Sequence, residues 1–110
     1  MGLLGTVTEQ AYYSQSQTFT GDGSGSSGTL AFTLTTVFFP TLPTAETQFD
    51  VFINGVKISS SNYSYSSPTL TFSDTNVNSD VQATNGAPLS GFNILIKENQ
   101  SSEAFGSYQF

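Results

Sequence analysis

The chain predicts an all-β fold: a small antiparallel β-sandwich built from hairpins, with an extended N-terminal arm and a C-terminal tail. Three observations carry this expectation. Short apolar/polar alternations bounded by Gly, Pro, Asn and Ser recur along the middle of the chain. Asn54-Gly55, the dipeptide that best tolerates the two positive φ angles of a type I′ turn, joins two of them. Finally, 17 Ser and 15 Thr among 110 residues suit strands and sheet faces better than helices. The organisation that follows is an arm over residues 1–17, a sandwich over 18–98 and an aromatic tail over 99–110.

In the arm, MGLLGTVTEQAYYSQSQ, no period of 2 or 3.6 holds. Its apolar side chains are Leu3 and Leu4, then Tyr12 and Tyr13, and it is either a disordered terminus or an anchor on another subunit. Thr18-Phe19-Thr20 then opens a first hairpin across the segment Gly21 to Gly28, and its second strand, Thr29 to Thr35, puts Leu30, Phe32 and Leu34 on one face. The Gly/Ser connection is expected to be the most mobile of the domain. Val37-Phe38-Phe39 extends the apolar run to Pro40, and Pro40 and Pro43 force an extended crossing.

The central hairpin, Gln48 to Ser59, is the clearest element. Phe49, Val51 and Ile53 alternate with Gln48, Asp50 and Phe52, and a two-residue loop fixes the register. Ile53 is then opposite Val56 and Val51 opposite Ile58, all on the core face with Phe49. Phe52 and Lys57 share the other face beside Asp50, where Phe52 either covers a second layer or contacts a partner. A third strand pair follows, with Tyr63 and Tyr65 before the Ser66-Ser67-Pro68 turn and Leu70 and Phe72 after it. The polar stretch Ser73 to Gly91 exceeds ordinary loop length, which predicts a functional loop or an insertion with its own structure. Phe92, Ile94 and Ile96 mark the last strand, and the tail ends in Phe105, Tyr108 and Phe110, which must pack on their own domain or on a neighbour.

Composition narrows the function classes. At 110 residues the chain holds one core and no room for a cofactor domain. Eight acids against two lysines, with no Arg, give a net charge of −6 and no patch able to neutralise phosphates, so neither nucleic acid nor an anionic membrane is an expected partner. The absence of Cys and His removes disulfides, thiolate or imidazole nucleophiles and the usual zinc sites. No signal h-region or membrane-length apolar run is present, so folding in a cytoplasm is expected.

Two stretches imitate chemical motifs. Asp74 to Asp80 places oxygen ligands at alternating positions, but Ser79 stands where a calcium loop needs Gly and Asn85 where it needs a bidentate Glu. Gly21-Asp22-Gly23-Ser24 has the composition of a phosphate loop without its Lys or its helix. No nucleophile with a base beside it can be named, and no catalytic, cofactor or metal residue is assigned.

Five segments taken together resemble a known family. They are Gln17 to Ser24 (QTFTGDGS), Phe32-Thr33-Leu34, Phe49 to Val56 (FDVFINGV), Tyr63 with Leu70-Thr71-Phe72, and Gly91-Phe92-Asn93-Ile94. In this order they resemble the small β-domain of tailed-phage virion proteins, with its F-T-G-D-G-S, F-x-L, V-x-V-x-G-V and L-T-F motifs. The opening MGLLGTVTEQAYYSQS is similar to the start of short structural proteins of marine or freshwater phages. The resemblance covers nearly the whole chain, with Gly25 to Gly28 and Thr75 to Pro88 as lengthened connections. It implies a non-enzymatic virion structural protein, assembled in the bacterial host cytoplasm. Its place would be in the tail, tail fibre or neck, or on the capsid as a decoration protein. Its partners would be other virion proteins and copies of itself, with Leu3, Leu4, Tyr12, Tyr13, Phe52, Phe105, Tyr108 and Phe110 as the assembly interface. A carbohydrate-binding module for a host surface glycan is the second class, with Phe52, Tyr63 and Tyr65 as stacking platforms.

Overall fold

Strand pairing in this chain is dominated by contacts distant in sequence. The structure, a computed structural model, describes residues 14–99. It is all-β, with strands β1 (Ser16–Thr20), β2 (Ala31–Thr33), β3 (Phe49–Ile53), β4 (Val56–Lys57), β5 (Tyr63–Ser66), β6 (Thr69–Phe72) and β7 (Asn93–Glu98). They form two antiparallel sheets, four-stranded in the order β1-β7-β3-β4 and three-stranded in the order β2-β6-β5. The only helical turns among the described residues are 3-10, at Glu46–Gln48 and Ser60–Asn62.

Alternation decides what each strand buries. In the four-stranded sheet the register aligns Phe19, Ile94, Ile53 and Val56 in one inward row and Gln17, Ile96 and Val51 in the next. The outward rows read Thr18, Leu95, Phe52, Lys57 and Ser16, Lys97, Asp50. Val51, Ile53, Ile94, Ile96 and Leu70 are 0% exposed. Aromatic rings join the sheets across this interior: Phe19 meets Phe32 at 5.3 Å, and Phe49 meets Tyr63 at 6.2 Å and Tyr65 at 5.0 Å. A polar side chain in such a row must carry its own partner, and the Gln17 carboxamide does so by accepting from the Thr35 N–H at 3.0 Å.

The central hairpin has the expected register, Ile53 opposite Val56 and Phe52 opposite Lys57. Asn54 at φ 53° and Gly55 at φ 86° supply the two left-handed residues of its turn. Val56 departs from expectation. It is 38% exposed, because β4 is an edge strand only two residues long and Val56 stands at the sheet's corner. Ile58 keeps the inward course, donating its N–H to Val51 O at 2.8 Å before the chain leaves for the other sheet. The β5–β6 hairpin also forms as expected, although it faces the central hairpin across the core rather than lying beside it.

Three other expectations are corrected. Residues 18–35 do not form a hairpin: β1 pairs with β7 and β2 with β6, so the Gly/Ser segment crosses between sheets. Inserting β1 beside β7 covers the inward Phe19–Ile94–Ile53 row, which a local two-stranded hairpin could not do. The crossing itself is tied down. Ser24 and Ser27 exchange backbone bonds of 2.9 and 3.0 Å, and the Asp22 carboxylate accepts from Thr29 Oγ1 at 2.6 Å and its N–H at 2.7 Å. Those two bonds, the side-chain one first, hold the Asp22 carboxyl below its usual range.

Second, Val37-Phe38-Phe39 is not a strand extension. Phe38 and Phe39 both donate to Thr35 O, at 3.2 and 2.8 Å, and the resulting turn buries Phe39 while turning Val37 and Phe38 outward. Third, β1 begins at Ser16, so Ser16 and Gln17 belong to the sheet rather than to an arm ending at residue 17.

The stretch 73–91 has structure of its own. Val81, Ala83, Ala87 and Pro88 are buried, Gln82 bridges to Pro88, and Gly23 bridges to Leu89. At its centre lie Asn62, 0% exposed, and Gln82, 3% exposed. Two orientations of the Asn62 carboxamide fit this site. In one, Nδ2 donates to Gln82 Oε1 at 2.7 Å. In the other, Nδ2 donates to the carbonyls of Ser73 at 2.6 Å and Thr75 at 2.8 Å while the oxygen accepts from Gln82 Nε2 at 2.6 Å. We assign the second, because it turns Nδ2 toward the Ser73 and Thr75 carbonyls, which the first leaves facing the amide oxygen, and keeps only one acceptor pair, with Gln82 Oε1 at 2.7 Å. Gln82 completes the lock, donating to Gly86 O at 2.8 Å and accepting from the Asn78 N–H at 2.9 Å.

Candidate functional site

Two surface features stand out from this frame. The first is the end of the sandwich where β1 begins and β7 finishes. Ser16 pairs with Lys97, and just beyond, Glu98 donates its N–H to Gln15 O at 2.8 Å while the Gln15 N–H donates to Glu98 Oε1 at 3.1 Å. Both ends of the described chain therefore leave from one corner. The Gln15 carboxamide also clasps Thr41 in both directions, at 2.8 and 3.1 Å. With Gln17 holding Thr35, Gln15 and Gln17 at the start of β1 fix both feet of the turn that carries Val37 and Phe38. These two are 79% and 53% exposed, the most exposed large apolar side chains among the described residues. Two exposed apolar side chains held in place beside both ends of the described residues are a candidate contact surface.

The second feature lies along the open edge of β3, where β4 has already ended. An open cleft of about 610 Å3 is lined there by Glu46, Asp50, Lys57, Ser59, Ser60 and Tyr63, above Phe49 and Ile58. Asp50 and Lys57 approach to 3.7 Å with side chains 36% and 65% exposed, a geometry that contributes less than about 1 kcal/mol in water. Tyr63 is 7% exposed, its ring stacked on Phe49 and edge-on to Phe72. Burial, then the Asp50 and Glu46 carboxylates, push its phenol up to about 12. It is a neutral hydroxyl at any physiological pH.

The chain matches no family model and no curated protein. Its function is therefore argued from these surfaces.

Of the residues expected at an assembly interface, Leu3, Leu4, Tyr12, Tyr13, Phe105, Tyr108 and Phe110 lie outside the described residues. Phe52 is half-buried on the outer face of the four-stranded sheet, between Leu95 and Lys57 in register. Of Tyr63 and Tyr65, expected as sugar platforms, Tyr63 is buried in the core with Phe49 and Phe72 packed on its ring, and Tyr65 is half-buried against it, edge-on to Phe49 and donating to Pro43 O at 2.9 Å. In the calcium-like stretch two asparagine side chains are taken up by local bonds. Asn78 Oδ1 accepts from the Asp80 N–H at 3.0 Å, and Asn76 Nδ2 donates to Ser61 Oγ.

Sequence reasoning missed Val37 and Phe38 as surface residues. A signal was present, since three consecutive apolar residues cannot all face the core from one strand. It also missed the Gln15 and Gln17 clasps, for which a polar sequence offers no marker.

Proposed function

We propose that the protein is a non-enzymatic structural component of a tailed-phage virion, associated with the tail, tail fibre or neck. It docks one end of its sandwich onto a larger symmetric assembly. The observation that carries this reading is the gathering of both ends of the described residues and the exposed Val37–Phe38 turn at one corner, held by Gln15 and Gln17. A few desolvated apolar anchors dominate interface energy, and a hydroxyl-rich, weakly charged surface tolerates wet contacts between repeated copies. The arm with Leu3, Leu4, Tyr12 and Tyr13 and the tail with Phe105, Tyr108 and Phe110 lie outside the described residues, and in this reading they join the turn as anchors on one partner. A capsid decoration role would use the same corner on a different lattice. Mass spectrometry of gradient-purified particles tests the reading. The protein should be present in a fixed ratio to the major virion proteins, and its absence overturns the assignment.

A further inference from the structure

β1 is an open margin of the four-stranded sheet, with β7 on one side of it and no strand on the other. Gln15 O accepts from the Glu98 N–H and the Gly21 N–H donates to Phe92 O. The alternation of an antiparallel ladder then turns Gln17 and Phe19 toward β7 and the backbone groups of Ser16, Thr18 and Thr20 toward the free side. Among the described residues no hydrogen bond reaches these groups from that side. Edge strands are ordinarily kept from pairing by shortness, a charge, a proline or a bulge. β4 has two residues and carries Lys57, β2 has three and β5 four. β1 has five, reads SQTFT without charge or proline, and matches β7 residue for residue. Ser16, Thr18 and Thr20 are all exposed.

We infer that this edge pairs with the same edge of a second copy, the two β1 strands running antiparallel about a two-fold axis at Thr18. Thr18 then faces Thr18 of the second copy, and Ser16 faces Thr20, the positions whose N–H and C=O groups point to the free side. The strand is complementary to itself in this register. Side chains of the outward row meet hydroxyl to hydroxyl, a pairing favoured across strands, and no like charges are opposed. The absence of charge matters, because a chain of net charge −6 repels its own copies and β1 gives them an uncharged line of approach. A charged strand from another protein would find nothing on β1 to answer it. The two-fold closes after two copies and joins their sheets in the order β4-β3-β7-β1-β1-β7-β3-β4.

The inference uses neither Val37 nor Phe38 and does not rest on the virion reading, which particle composition tests separately. Sedimentation velocity on the full purified chain, from about 10 μM to about 1 mM, should show a monomer–dimer equilibrium, weak because one strand pair buries little apolar area. Thr18→Lys changes an exposed side chain whose backbone makes no ladder bond to β7, so the monomer should melt as the parent does. It should raise the dimer dissociation constant about tenfold, because like charges would face each other on the axis. Thr18→Glu should do the same alone. Mixing the two variants sets opposite charges face to face and should restore a dimer at least as tight as the parent's, which pairing away from Thr18 would not do. Amide exchange gives a second readout: Thr18 and Thr20 should gain protection as concentration rises, whereas β7 protects Gln17 and Phe19 at every concentration. A monomer throughout the range, a dimer indifferent to Thr18→Lys, or a mixture no tighter than either variant alone would each overturn the inference. So would Thr18 and Thr20 amides protected equally at every concentration, which would place the cover of this edge within its own chain.

Discussion

The two ends of β1 and β7 solve opposite problems. At the far end, where β1 leaves and β7 enters, Gly21 and Phe92 are joined by a 2.9 Å backbone bond. The 73–91 segment closes over Gly23, with its Gln82 carboxamide buried against that of Asn62. Polar groups are inside and answered there. At the terminal end the polar clasps of Gln15 and Gln17 are spent on holding apolar Val37 and Phe38 out in solvent. One end is closed on itself, and the other leaves apolar side chains in solvent, where the proposed function would have them covered. Substitutions at the far end should therefore be read out as lost stability, and those at the terminal end as lost association.

The sharpest break of the closed end is Gly86→Ala. Gly86 adopts φ +101°, and an added Cβ would lie 2.1 Å from the Ser73 carbonyl oxygen, so the backbone must move as well as strain. A loss of about 3 to 5 kcal/mol is expected in urea denaturation. A loss below about 1 kcal/mol would mean that 73–91 is not seated on Ser73. Next comes Asn62→Ala, which leaves the Ser73 and Thr75 carbonyls and Gln82 Nε2 without their shared partner. It should cost about 2 to 4 kcal/mol by the same measurement, since each buried polar group left unanswered costs about 1 to 3 kcal/mol. A neutral result would show that water reaches the site.

How legible each end was in the sequence follows from the range of its interactions. The Asn54-Gly55 hairpin and the Tyr63 to Phe72 hairpin could be read because turn chemistry and alternation lie within a few residues of each other. The β1–β7 pairing could not: Phe19 meets Ile94 across most of the chain, and nothing in the Gly/Ser crossing announces a change of sheet. The same holds for side chains. Asn62 and Gln82 look like ordinary loop residues until the fold brings them together, and Gln17 looks like the last residue of a polar arm. The cleft was half legible, in that Tyr63 was singled out as a contact residue. Only its packing against Phe49 and Phe72 shows that its ring belongs to the core.

A milder change at the far end separates strain from crowding. Gly55→Ala sits at φ +86° with nothing within 4 Å of the added Cβ, so only the left-handed conformation is penalised. A loss of about 1 to 2 kcal/mol is expected from thermal melts, well below that of Gly86→Ala. Equal losses at the two glycines would assign both to backbone strain and remove the close approach to Ser73 as a cause.

The smallest effect on stability belongs to the terminal end. The double substitution Val37→Ser with Phe38→Ser removes the most exposed apolar side chains and touches neither Phe39, at 0% exposure, nor the clasps of Gln15 and Gln17. Stability should stay within about 0.5 kcal/mol of the parent, as for surface changes away from buried or bonded groups. If the protein is the virion component proposed, incorporation into particles should fall sharply, because truncating an interface anchor costs about 2 kcal/mol or more, some thirtyfold in occupancy per anchor. The experiment compares melting temperature with band intensity in purified virions for the same variant. A stable variant that is incorporated normally would remove the turn from the docking surface and leave attachment to the arm and tail. If stability instead falls by more than about 2 kcal/mol, the turn belongs to the core economy, and the contrast between a closed end and an end proposed to be covered no longer holds.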